Sequence, residues 1–490
     1  MAVFTVANGG GNINAGGTYV GGVAPSSTDT IAFTATSGQL TVNTTFTIAG
    51  IDFANYLNTI TFTFPMTCTG PVNFGTGGYT VTGASFLIVN TSTTITSNGT
   101  TWGGNFRFAG TSQTFTLVDN MRVSGIVQFN GATGQTINGS TLICTGTLTS
   151  ISAGVNVLGT TNISMQGNST IAGSNGNYGL NIDINSTGTV SFTGIIYFIS
   201  GTLSYTAGTI NAGTSTIYHV NSGAFVLSLG SNILNNVILI STSSLGSTLN
   251  CSGTLTLSST TSNTYAINCS GSLTILGTPS GTSLITLTGT GIWSGAGTLR
   301  NNLTINTTGT ITVSGTVNYN TGTLTYIAGT VITTGSTLSI GASTTLNTNG
   351  INWNIVTITT GTVTVNSLLT CTTLNLASAG NVIFSGTAGF TTSNLSSVTA
   401  GRTITLKNGV TYTINNSLTL TGASGSLITV VSSTTSHAFF NLILSATQNV
   451  QNTNGTWIDS SGGQTIKSSF GTLSNTINWE IGQGSWWLIQ

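Results

Sequence analysis

The sequence predicts an all-β protein, a right-handed parallel β-helix or solenoid, on three observations. Short runs alternate apolar and polar residues along most of the chain, as in Leu255-Thr-Leu257, Thr310-Ile-Thr-Val313, Thr362-Val-Thr-Val365 and Thr403-Ile-Thr-Leu406. Period two buries one face of a strand and leaves a Thr or Ser face outside. Asn-Gly pairs at Asn98, Asn130, Asn138, Asn349, Asn408 and Asn454 punctuate the runs, and both residues accept the positive φ that tight turns require. Third, Asn181–Thr209 aligns without gaps to Asn302–Thr330 at an offset of 121 residues, with 14 of 29 positions identical.

Each element follows from these. Thr favours extended backbone because its Cβ is branched, and no long 3.6-period segment competes with the strands. A serial repeat means stacked units that bury a core only against their neighbours. Cys251 and Cys269, 18 residues apart, open the same short phrase, which suggests a coil of roughly 18 to 26 residues. About 20 coils at roughly 4.8 Å each would make a rod on the order of 100 Å long. Neutral side chains suit such a stack, since like charges in adjacent coils repel while Asn and Thr ladders hydrogen-bond. Short strands between frequent turns also permit a row of antiparallel β-sandwich domains.

Charge narrows the function. Only 12 of 490 residues are Asp, Glu, Lys or Arg, six of each sign, or 2% of the chain, where about 25% is usual. Six cations cannot form a nucleic-acid patch. Low charge with 38% apolar residues excludes a charge-driven disordered tail. Gly lacks the every-third-residue period of collagen. No apolar run reaches the roughly 18 residues of a membrane span, so membrane insertion is not expected. The N-terminus shows no basic and apolar leader pattern, which predicts synthesis in a cytoplasm.

Composition divides the chain. Twelve of the 20 Phe fall in residues 1–130, predicting a Phe-rich N-terminal base. Residues 131–440 read as a uniform shaft; between Asp183 and Arg402 the only charge is Arg300. Residues 441–490 hold Trp457, Trp479, Trp486 and Trp487. Of these, Trp479, Trp486 and Trp487 are expected to cap the last coil, whose open edge would recruit other chains, or to contact a partner subunit. The cysteines (Cys68, Cys144, Cys251, Cys269, Cys371) recur in similar phrases and read as small core residues rather than disulfide or metal ligands.

The opening pattern Pro25-x-x-x-Asp29-x-Ile31, followed by Gly38-x-Leu40-Thr41-Val42, resembles the first coils of repetitive β-helix proteins of phage virions and bacterial surface adhesins. The phrase Asn475-Thr-Ile-Asn-Trp479 resembles their final coil. The resemblance is confined to these two end segments; elsewhere the likeness is one of style. It implies that the Pro-x-x-x-Asp segment turns into the first strands, and a role in adhesion or virion building.

Catalytic groups are few. Lys407 and Lys467 do not sit in a Walker motif, and His219 and His437 are far apart in the chain. Asp459 and Glu480 are 21 residues apart, one coil, and form the best candidate for a two-carboxylate glycosidase site. The T-x-T phrases at Thr254, Thr323, Thr362 and Thr419 raise an ice-binding lattice, which requires them in register on consecutive coils; ordinary exposed strand Thr is the preferred reading. The expectation is therefore a non-enzymatic virion structural protein without cofactors: a phage fibre, spike or capsid-surface protein at the virion surface. It would assemble as a homo-oligomer, most simply a trimer, with other virion proteins, and attach to host surface glycans. The alternatives are an extracellular or cell-surface adhesin or filament protein, and a polysaccharide-degrading tailspike.

Overall fold

A computed structural model describes residues 2–151, 155–221, 223–259, 261–262, 264–377 and 380–482. It is a parallel β-solenoid of about 21 turns with about 1% helix. The antiparallel sandwich alternative is not what forms. The chain divides into two compact units, Met1–Ser252 and Gly253–Gln490.

In the first unit a coil carries three short strands, such as Thr114–Leu117, Met121–Val123 and Val127–Asn130. Each pairs in parallel with its counterpart one coil on: Phe115 with Ile137, Met121 with Leu142, Val127 with Leu148. Inward residues therefore stack in columns. Val123, Cys144, Met165 and Ile184 form one, and Phe106, Val127, Leu148, Ile171 and Phe192 another. Buried apolar columns of this kind supply the main stabilisation, about 1.5–3 kcal/mol per large side chain. Near the N-terminus the columns are aromatic: Phe33 stacks on Phe53 at 4.8 Å, Phe53 on Tyr79 at 4.8 Å, and Phe74 on Trp102 at 5.0 Å. Phe33, Phe53 and Phe74 are thus core, while Phe64 is exposed. The Pro25-x-x-x-Asp29 segment makes a turn in which the Asp29 carboxylate accepts the amides of Ser26 and Ala2, both at 2.9 Å. The strand Thr30–Ala32 follows and pairs with Val3–Thr5.

The second unit repeats the design. Its outward residues also align: Asn318, Ser339, Thr357, Asn375, Ser396, Thr419 and Asn449 form a continuous polar column over seven strands. The T-x-T phrases do not make a uniform Thr lattice, because Thr325 faces Asn347 and Thr362 faces Ile383. Coil length departs from the expected range here. Thr411 faces Phe439 and Leu418 faces Gln448, so this coil is longer than the sequence phrases suggest. A small hairpin closed by the antiparallel bridge Ala423–Ser426 absorbs part of the excess.

The sequence repeat is a structural repeat. Asn181–Thr193 pairs with Gly201–Asn211, and Leu303–Val313 pairs with Thr323–Ile332. Both pairings break register at the same places, around Asn185 and around Asn306. At the first corner Gly188 N donates to Ser186 Oγ (2.9 Å), and at the second Gly309 N donates to Thr307 Oγ1 (2.8 Å). Tyr205 and Tyr326 each donate a phenol to a glycine carbonyl, Gly208 at 2.8 Å and Gly329 at 2.7 Å. Those glycines have φ of 108° and 110°, a conformation that L side chains avoid.

Candidate functional site

The first unit bears a polar concavity of about 440 Å³ on its outer face, lined among others by Ser164, Asn181, Asp183, Asn185, Thr202 and Ser204. Three strands build it: Asn162–Met165, Asn181–Thr193 and Gly201–Asn211. Their alternation turns Ile163, Ile182 and Leu203 into the core and leaves the residues between them outside. Strand register then sets Ser164, Asp183 and Ser204 side by side. A second column places Asn181 beside Asn162, with Asn181 Nδ2 donating to Asn162 Oδ1 at 3.1 Å.

Asp183 is half-buried, and it is the only Asp, Glu, Lys or Arg between Arg122 and Arg300. Ser204 Oγ donates to its Oδ1 at 2.8 Å, and Thr206 Oγ1 lies 3.0 Å from Oδ1 and 3.1 Å from Oδ2. These charge-assisted bonds hold the carboxylate in one orientation. The cation of the same column is turned elsewhere: Arg122 Nη2 donates to Gln166 Oε1 at 2.8 Å. The lining offers amide and hydroxyl groups, each able to donate and accept, around one acceptor-only carboxylate.

Asp459 pairs in register with Phe439 and bridges to Ile477, and its Oδ1 accepts the Ser461 amide at 2.8 Å. Glu480 is exposed and sits opposite Lys467. The two carboxylates are therefore not ladder partners. Trp479 is 5% exposed and stacks on Phe440 at 6.3 Å. Trp486 and Trp487 lie outside the described residues.

The five cysteines are buried and none is in a disulfide. Among the described residues no three His, Cys, Asp or Glu side chains gather as a metal would need. His219 is fully buried, with Nδ1 2.8 Å from Ser243 Oγ and Nε2 3.1 Å from Gly223 O. His437 lies one residue before the strand Ala438–Leu442, edge-on to Trp457 at 5.5 Å.

Like the other five acids, Asp183 has no acidic neighbour in the chain to mark a site. The available signal was the repeat itself, where Asp183 aligns in sequence with Thr304 in an otherwise largely like-for-like stretch. No family model matches the chain, and no curated protein or solved structure matches it either.

Proposed function

We propose that this protein is a non-enzymatic structural component of a virion: a fibre, spike or capsid-surface protein of a bacteriophage or similar virus. In this role it assembles with copies of itself, most simply as a trimer, and with other virion proteins, and it takes part in host attachment. The observation that supports the reading is the neutral outer ladder of the solenoid. From Asn318 to Asn449 seven consecutive outward positions are Asn, Ser or Thr. An uncharged repeating face suits a part whose task is to extend and to pack, because stacking carries no Coulomb cost. Peptide mass spectrometry of purified particles tests the reading. Peptides from the chain in stoichiometric amount are expected; their absence from particles overturns it.

A further inference from the structure

We infer that the concavity around Asp183 is a binding site for a neutral, hydroxyl-rich saccharide. The inference deepens the attachment role proposed above and rests on it only for its biological setting.

The internal repeat provides the control. The second copy reproduces the backbone of the first, with the same register breaks and the same tyrosine-to-glycine bond. Yet Asp183 is replaced there by Thr304, Ser204 by Thr325 and Thr206 by Ile327. Ile327 is 59% exposed, so that position in the second copy offers no hydroxyl to a carboxylate. The fold thus forms without the carboxylate and with only one of the two hydroxyl positions that orient it. A charged group that the scaffold does not need, held by two hydroxyls of which the second copy lacks one, in a concavity, is explained by a ligand.

The lining selects the ligand class. A volume of about 440 Å³ falls within the roughly 300–1,000 Å³ of small-molecule sites. An anionic ligand meets Asp183 with no cation to offset it, since no Lys or Arg is among the lining residues. A flat apolar ligand finds no aromatic side chain among the lining residues. A hard cation such as calcium wants six to eight oxygens and usually several carboxylates. Here there is one, and the Ser204 and Thr206 hydroxyls already point their protons at it. Sugar hydroxyls fit, because each donates and accepts: they can donate to Asp183 and exchange bonds with the amides of Asn181 and Asn185.

The test uses the full chain on an array of defined oligosaccharides, neutral, sialylated and phosphorylated, with four proteins: wild type, Asp183→Thr, Thr206→Ile and Thr304→Ala. Wild type is expected to bind at least one neutral oligosaccharide. Asp183→Thr should weaken that binding by about tenfold or more, the loss expected when charge-assisted bonds to a ligand disappear. Thr206→Ile should weaken it less, and Thr304→Ala should leave it unchanged. Thermal melting of Asp183→Thr should match wild type, because the second copy already folds with threonine there. Binding to no neutral saccharide, or binding that survives Asp183→Thr, overturns the inference. Calcium binding at Asp183, measured calorimetrically with calcium chloride alone and without saccharide binding, also overturns it. Absence of the chain from particles would remove the virion reading and leave the array result standing, so the two failures are distinguishable.

Discussion

Arg402 offers a sharp test of how the coils are held. Its side chain is fully buried, which is rare for a charged group. Nε donates to the Gly380 carbonyl at 2.9 Å and Nη2 to the Thr359 carbonyl at 3.0 Å. Those acceptors lie 22 and 43 residues upstream, one and two coils back, so a single guanidinium ties three turns together. Arg402→Ala removes these donors and the packed stem. Each orphaned, partly buried carbonyl costs about 1–3 kcal/mol, and relief from burying the charge offsets part of this. The net expected loss is about 3 kcal/mol. Arg402→Met refills the volume and should lose less. Because a solenoid opens locally rather than all at once, native-state hydrogen exchange is the assay. The amides of Val382–Ser385 and Thr403–Leu406 should exchange about 150-fold faster in Arg402→Ala, at about 1.4 kcal/mol per tenfold. Rates within about twofold of wild type in those strands would refute the reasoning.

Three further outcomes follow from buried groups and one corner. Burial holds the His219 imidazole below its ordinary pKa, so the unfolded chain takes up a proton more readily. Stability is then complete above about pH 6.5 and falls as pH drops below it. Melting curves between pH 7.5 and 5 should show that decline in wild type and a smaller one in His219→Gln; parallel declines would contradict it. Burial pushes the thiols of Cys68 and Cys371 up to about 11 and that of Cys144 up as well. Maleimide at pH 8 should leave all three unlabelled in the folded protein and label them after unfolding, and Cys144→Ser should cost about 1–3 kcal/mol by urea titration. Gly139 has φ of 98° and a Cβ there would run into the Leu117 carbonyl oxygen. Gly139→Ala should therefore cost at least about 1 kcal/mol, read as a lowered melting temperature.

Much of the fold was legible because period-two alternation and turn chemistry are local properties. The pattern around Thr403–Leu406 reads as a strand, and is one. The internal repeat survives even in its register breaks at Asn185 and Asn306. The cysteine phrases correctly marked core positions, as the column Val123, Cys144, Met165 illustrates. What could not be read was which distant residues meet. Thr254 finds its partner at Ser272, whereas Leu418 must reach on to Gln448; coils this unequal leave no fixed period from which to predict partners. For that reason Asp459 and Glu480, one nominal coil apart, pair with Phe439 and Lys467 instead of each other. The same ignorance of register hid Asp183, whose donors Ser204 and Thr206 lie 21 and 23 residues downstream. It also hid Arg402, whose burial depends on carbonyls in two earlier coils.

Register is therefore what the site and the neutral outer face both depend on. A one-residue slip in a strand turns every side chain to the other face and would send Asp183 inward. A density map of the purified protein at side-chain resolution tests this most directly. Asp183 should appear on the outer face between Ser164 and Ser204 of the adjacent coils, with Ile182 and Ile184 inside. Antiparallel pairing of these strands, or Asp183 in the core column, would contradict it.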